Sequence, residues 1–124
     1  MKSAQAFRFS GRIRSIAHAG RGVAVMLASQ HNAWIHAIAT VIVAIAGVLF
    51  RISAVSWCLL TLAAASVWVA EGMNTAFEFL CDVASPEIHP LVKKSKDVAA
   101  GAVLLSAFGA AIVGIIVFAP YFWR

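Results

Sequence analysis

Charged side chains are scarce in this chain of 124 residues. They make up 12% of the sequence, whereas hydrophobic residues make up 62%. Soluble domains usually carry about 25% charged residues. A single domain of this length has too little interior to bury so much apolar surface away from water. The composition therefore argues against an ordinary soluble domain and predicts a protein whose solvent is lipid.

Sequence motifs of several common protein classes are also missing. The two cysteines, Cys58 and Cys81, form no CxxC pair and lie in or beside apolar stretches, so we expect membrane packing rather than a disulfide or a metal site. Neither a Walker-type loop nor a GxGxxG loop is present. The N-terminal segment has basic residues but no apolar core before a small-residue cleavage site. We therefore expect no cleavable signal peptide.

Three long apolar stretches predict three transmembrane helices, at about residues 33–50, 55–80 and 98–123. A membrane span needs roughly 17–25 helical residues. His36 and Thr40 interrupt the first stretch, and the second is apolar only as far as Ala70, so it is short unless Glu71 enters the membrane. The predicted fold class is an all-α integral membrane protein, with residues 1–124 forming one membrane-embedded domain.

A further helix is predicted at about residues 10–29, where it would lie on the membrane surface. An apolar stripe beside basic residues is typical of interfacial amphipathic helices. Gly20 and Gly22 weaken the prediction that this helix is continuous. The residues of the stripe are Ile13, Ile16, Ala17, Val23 and Leu27.

The basic residues predict the orientation. Eight lie before the first span or between the second and third, and two lie on the opposite side. Because cytoplasmic segments carry the excess of Lys and Arg, the N-terminus is predicted to be cytoplasmic. The eight are Lys2, Arg8, Arg12, Arg14, Arg21, Lys93, Lys94 and Lys96, and the two are Arg51 and Arg124.

All the acidic residues lie within residues 71–97, near the predicted cytoplasmic end of the second span. An ionisable residue inside a membrane usually faces a protein interior or a wet cavity, because its exposure to lipid costs at least about 2.5 kcal/mol at the bilayer centre. Helical spacing places Glu71, Asn74, Thr75, Glu78 and Asp82 on one face. We interpret Glu71, Asn74 and Glu78 as a functional site, whereas solvation at a helix end explains Asp82 by itself.

Distance separates the roles of the two glutamates. Seven residues of helix place Glu71 and Glu78 about 10 Å apart along the axis, too far to share one magnesium ion without distortion. The deeper Glu71 suits a general base, and the shallower Glu78 suits a ligand of a hard cation near phosphates. The following connection could bind a nucleotide, although its lysines also suit simple topology determinants. Its polar residues are Glu87, His89, Lys93, Lys94, Lys96 and Asp97.

Residues 71–105, EGMNTAFEFLCDVASPEIHPLVKKSKDVAAGAVLL, resemble the prokaryotic diacylglycerol kinase family. The similarity extends to Ala19-x-x-Gly22 and to Asn32-x-x-x-His36, and it covers roughly residues 15–122. The pattern of residues 82–91 and the Asn32–His36 element are more similar to the undecaprenol kinase branch than to the enterobacterial diacylglycerol kinases.

The resemblance implies a homotrimer with three membrane helices and a surface helix per subunit. It also implies transfer of the γ-phosphoryl group of Mg-ATP to a lipid alcohol, with undecaprenol expected first and diacylglycerol as the alternative; no nucleic-acid partner is expected. Glu71 would be the catalytic base and Asn74 would position groups beside it. Glu78 would bind the metal, and the expected nucleotide contacts are Glu78 (through the metal), Glu87, His89, Lys96 and Asp97.

The chain departs from the family pattern at Gln30, where the family has a metal-binding glutamate. An amide oxygen can ligate magnesium, so Gln30 stays a candidate ligand beside Glu78, but the site loses one negative charge. Two other functions remain open. One is a catalytically weak homologue that binds a lipid or a partner protein; the other is a small channel or transporter, which would explain Glu71 but not the Lys96–Asp97 pattern. His36, early in the first span, is a further functional candidate.

Overall fold

The computed structural model describes residues 8–85, 87 and 89–123, and the regular secondary structure in these residues is entirely α-helical. The helices are α1 (Phe9–Ser29), α2 (His31–Leu49), α3 (Ala54–Ala84) and α4 (Pro90–Phe122). Local signals fix two of the starts. The Ser53 hydroxyl accepts a hydrogen bond from the Ser56 N–H at 3.1 Å before α3, and His89 Nδ1 accepts from the Leu91 N–H at 3.2 Å before α4. Both are side-chain caps for otherwise unpaired N–H groups.

Helix α4 begins at Pro90, eight residues before the predicted third span. Proline is favoured in the first turn of a helix because it lacks an N–H that would have no partner there. Lys93, Lys96 and Asp97 therefore lie on the first two turns of α4, and the assignment of Lys93 to a loop is wrong. Hydropathy shows only where the lipid-facing part of the helix begins. The helix itself starts earlier in the chain, in polar residues.

Helices α2, α3 and α4 are long and apolar enough to cross a membrane, with mean hydropathies of 1.9, 1.5 and 2.6 over their most apolar segments. Large hydrophobic side chains along all three are exposed, as expected for helices that face lipid or another subunit. Helices α3 and α4 pack together most extensively, and α2 packs on α3. Helix α1 is almost wholly exposed, and Met26 is its only buried residue.

Helix α2 ends in a Schellman motif. The Ile52 N–H donates to the Gly47 carbonyl at 3.2 Å, and the Arg51 N–H donates to the Val48 carbonyl at 3.2 Å. Arg51 occupies the position with a left-handed backbone, at a φ of 51°. Ile52 then joins Leu60 in a small buried cluster at this end of the bundle. Backbone hydrogen bonds and the burial of Ile52 therefore close a tight turn between α2 and α3.

The close approach at this turn requires the absence of a side chain at Gly47. A Cβ added there would lie 2.6 Å from a ring carbon of Trp57 and 3.1 Å from Cδ1 of Ile52. The first separation is shorter than any ordinary van der Waals contact. The start of α3 thus packs directly on the backbone of α2.

Arg51→Gly should stabilise the protein relative to Arg51→Ala. Both substitutions remove the same charged side chain, but only glycine adopts the left-handed backbone without a Cβ penalty, which is about 1–2 kcal/mol per residue. We expect a higher unfolding midpoint in detergent for Arg51→Gly, measured by thermal or denaturant unfolding with Arg51→Ala as the control. Equal midpoints for the two variants would show that the backbone at this position is not strained.

Candidate active site

The interior of the bundle contains a polar face on α3. Among the described residues, the buried polar or charged side chains are Glu71, Asn74 and Thr75, with exposed fractions of 0%, 5% and 4%. Thr75 is satisfied locally, because its hydroxyl donates to the Glu71 carbonyl at 2.9 Å. The polar stripe therefore begins inside the protein and not on its lipid-facing surface.

Glu71 and Asn74 each keep one buried oxygen without a hydrogen-bond partner among the described residues. Oε2 of Glu71 lies 3.3 Å from Nε2 of His36, whereas Oε1 of Glu71 and Oδ1 of Asn74 are unpaired. A buried polar atom left unsatisfied typically costs about 1–3 kcal/mol. Two acceptors held this way, less than one helical turn apart, could receive a donor such as a substrate hydroxyl.

Gln30 lies beside Glu78, at the junction between α1 and α2. Its side-chain amide N–H donates to Oε2 of Glu78 at 2.9 Å, and both side chains are half-buried. The residues expected to bind metal are thus brought together from two separate parts of the chain. In this arrangement the amide N–H faces Glu78, so the amide must rotate before its oxygen can bind a cation next to that carboxylate.

These contacts share one antiparallel register between α3 and the α1–α2 segment. Gln30 pairs with Glu78, and ten residues further on Thr40 pairs with Trp68, whose Nε1–H donates to the Thr40 hydroxyl at 3.0 Å. The contact between His36 and Glu71 lies between them. The sequence made His36 a functional candidate but did not predict its contact with Glu71, and the contact between Thr40 and Trp68 was missed altogether. The spacing of four residues between His36 and Thr40, which places them on one helix face, was the available signal.

Two exposed ion pairs lie at the polar end of the bundle. Lys96 contacts Asp82 at 2.7 Å, and Lys93 contacts Asp97 at 2.8 Å. Both lysines precede the apolar part of α4, and the hydrogen bond from each to its carboxylate is the main cause that raises its pKa. Both ammonium groups therefore stay charged at neutral pH. Because water screens these pairs, a phosphate could replace either carboxylate at little cost.

Glu87 and His89 lie in the short connection between α3 and α4. The Ser85 hydroxyl donates to the backbone carbonyl of Glu87 at 2.8 Å. His89 uses Nδ1 to cap α4. Both residues are exposed and lie at the same end of the bundle as Lys96. The cap uses only Nδ1 of His89, so Nε2 takes no part in it.

Magnesium fits the pair of Gln30 and Glu78 only together with other ligands. The described residues hold no group of three or more His, Cys, Asp or Glu side chains that could bind a metal by themselves. Magnesium in phosphoryl-transfer sites is usually held by one or two carboxylates, several waters and the substrate phosphates. The Glu78 carboxylate, with the Gln30 oxygen beside it after rotation of the amide, suits that kind of site.

Two open apolar grooves flank the layer that contains Glu71. One, of about 660 Å³, lies between α2, α3 and α4 and has Ile35, His36 and Gly114 in its wall. The other, of about 670 Å³, lies between α1 and α3 and has Gly72 and Thr75 in its wall. Small and apolar side chains make up most of both walls, so both grooves could hold hydrocarbon.

Comparison with known proteins identifies the family. The model of the prokaryotic diacylglycerol kinases matches residues 17–118. An undecaprenol kinase of Bacillus subtilis is 36% identical over 107 residues, which cover 86% of this chain and 87% of that protein. A diacylglycerol kinase of Synechocystis sp. is 40% identical over 101 residues, which cover 81% of this chain but 58% of that protein.

All the candidate site residues lie within the matched region, from Gln30 to Asp97. The family predicted from the sequence is confirmed, and the three apolar helices agree with it. The chain belongs to the prokaryotic diacylglycerol kinase family and is a multi-pass membrane lipid kinase.

Proposed function

We propose that this protein transfers the γ-phosphoryl group of Mg-ATP to a lipid alcohol at the cytoplasmic face of the bacterial inner membrane. Undecaprenol is the favoured acceptor, because the relative named undecaprenol kinase matches along most of both chains. Diacylglycerol is the alternative acceptor. The observation that carries the proposal is the fully buried Glu71 carboxylate, one oxygen of which has no hydrogen-bond partner among the described residues.

In the proposed reaction, Glu71 accepts the proton of the lipid hydroxyl. As that O–H bond breaks, the hydroxyl oxygen forms a bond to the γ-phosphorus, and the bond from the γ-phosphorus to the bridging oxygen of ADP breaks. Oε1 of Glu71, which has no hydrogen-bond partner among the described residues, is available for the proton. Asn74, three residues further along α3, would orient the hydroxyl through its side-chain amide.

Glu78 and Gln30 would hold the magnesium that accompanies the nucleotide. When bound, the ion neutralises negative charge on the phosphates. Lys96 would contact phosphate, and the carboxylates of Glu87 and Asp97 would contact ribose or metal. His89 would reach the nucleotide through the ring nitrogen that does not cap α4.

Helix length supports the position of this site at a membrane surface. Helices α3 and α4 have 31 and 33 residues, which correspond to about 46 and 50 Å, whereas the hydrocarbon core is about 30 Å thick. About 20 residues from the start of α3 reach Asn74. Glu71 would then lie just inside the hydrocarbon, and Glu78 and Lys96 would lie outside it, on the side where most of the basic residues are. That side is the cytoplasm by the positive-inside rule.

We further propose that the active protein is a homotrimer in which subunits cover each other's exposed helices. One chain leaves large apolar faces open, and its described residues hold no group of three or more His, Cys, Asp or Glu side chains that could bind a metal. Small residues on α4, among them Gly101, Ala102 and Gly109, allow close helix approach. Helix α1 would lie on the membrane surface beside the site, with its basic residues toward water.

The purified protein should phosphorylate undecaprenol faster than diacylglycerol. The measurement is transfer from radiolabelled ATP to a panel of lipid alcohols in detergent, with kcat/KM determined for each. Glu71→Gln protein serves as the control for contaminating kinases. A preference for diacylglycerol would support the alternative acceptor, and transfer to no lipid alcohol would contradict the proposed function.

Glu71→Gln and Glu78→Gln should fail in different ways. Loss of the base should lower kcat by about 10²- to 10⁴-fold and leave the KM for Mg-ATP nearly unchanged. Loss of the Glu78 charge should raise the KM for Mg-ATP and the magnesium concentration needed for half-maximal rate. Steady-state kinetics with both substrates varied distinguishes the two. The same defect in both variants would contradict this division of roles.

Gln30→Glu should lower the magnesium concentration for half-maximal activity, by about three- to tenfold. A second carboxylate beside Glu78 adds a hard anionic ligand in a half-buried site, where charges interact more strongly than in water. The matched control is Ser29→Glu, which adds the same charge one residue away at an exposed position. If the two variants have the same magnesium dependence, Gln30 does not contact the metal. A large rate increase at saturating magnesium would instead favour the interpretation of the natural chain as a catalytically weak homologue.

A further inference from the structure

The imidazole of His36 lies against the buried carboxylate of Glu71. Its Nε2 is 3.3 Å from Oε2 of Glu71, and its side chain is 14% exposed. An ionised carboxylate has no hydrogen to donate, so this contact is attractive only when Nε2 carries a hydrogen. With Nε2 as the donor to Oε2, Oε1 is the carboxylate oxygen without a hydrogen-bond partner among the described residues.

The ring of Trp68 packs against the imidazole of His36, and Thr40 forms hydrogen bonds with both residues. The Thr40 hydroxyl donates to the His36 carbonyl at 2.7 Å, and Trp68 Nε1–H donates to the same hydroxyl at 3.0 Å. The rings of His36 and Trp68 meet edge to face, with centroids 6.3 Å apart and planes at 71°. Because Trp68 is three residues before Glu71 on α3, both contacts of His36 with that helix lie within a single turn.

We propose that His36 is a positioning residue for the phosphoryl transfer: it fixes Oε2 of Glu71 so that Oε1 faces the lipid hydroxyl. This inference rests on the proposed function of Glu71 as the base. A glutamate carboxylate rotates readily about its last side-chain bond, and a hydrogen bond to one oxygen restricts that rotation. A base that is correctly oriented before the substrate arrives avoids an entropic cost in the transition state.

A second role for His36 is also compatible with its position in the groove between α2, α3 and α4. His36 is part of the wall of that groove, so it could contact the lipid instead of acting through Glu71. The two roles predict different kinetics. A lipid contact changes the KM for the lipid whether or not Glu71 is present, whereas a positioning residue changes kcat only while the base is present.

The experiment is a double-mutant cycle with His36→Leu and Glu71→Gln, assayed on the full-length protein with the lipid alcohol that the wild type uses best. His36→Leu should lower kcat by about ten- to hundredfold, since it removes a hydrogen bond to a charged group, and should leave the KM for Mg-ATP unchanged. In the Glu71→Gln background the same substitution should lower kcat less than twofold. His18→Leu, which removes an exposed histidine from α1, is the matched control and should retain wild-type kcat.

A second variant separates positioning from folding. The amide of His36→Gln can still donate near the former Nε2, so its kcat should return to within about fivefold of the wild type. Wild-type kcat in His36→Leu would overturn the proposal. So would an equal loss in both Glu71 backgrounds, or a loss in His36→Leu that His36→Gln does not reverse. A Glu71→Gln variant with wild-type kcat would instead refute Glu71 as the base, whatever the His36 variants show.

Discussion

A buried carboxylate in an apolar helical bundle is the constraint on which the rest of this structure depends. Glu71 is fully buried, with one contact to a side chain and one oxygen without a partner among the described residues. An ionisable group in such a place is expensive, and a purely structural helix would gain nothing from it. Packing elsewhere has to offset the cost. The extensive contact between α3 and α4 and the close turn at Gly47 provide that packing away from the polar site.

The antiparallel register between α3 and the α1–α2 segment turns one polar stripe into two chemically distinct layers. The deeper layer pairs Glu71 with His36, and the shallower layer pairs Glu78 with Gln30. About 10 Å of helix separates the two glutamates. On the proposed function, this spacing allows a lipid hydroxyl to meet a base inside the hydrocarbon while the nucleotide and its cation stay in water. Neither substrate then has to leave the solvent that it prefers.

The sequence predicts the parts of this arrangement that depend on local pattern. Hydropathy reveals three apolar helices, and helical spacing places Glu71, Asn74 and Thr75 on one face, which the structure buries. Hydropathy failed at the start of α4, because helix boundaries depend on caps such as His89 and not on contact with lipid. The sequence also could not predict that His36 is the side chain in contact with Glu71. That contact depends on the relative register of two helices, which no property of either helix alone determines.

Gln30 raises the question of what a second carboxylate would do at this site. On the proposed function, a glutamate beside Glu78 would attract magnesium more strongly, but it would also repel the phosphates of a nucleotide bound through the same ion. An amide removes that repulsion and, as its contact with Glu78 shows, can hold the remaining carboxylate in position by donating a hydrogen bond. The metal would then enter with the nucleotide rather than before it, because the phosphates supply the charge that the protein lacks. On the proposed function, an amide at Gln30 is therefore compatible with catalysis, and the phosphates of ATP would supply more of the magnesium coordination than the protein does.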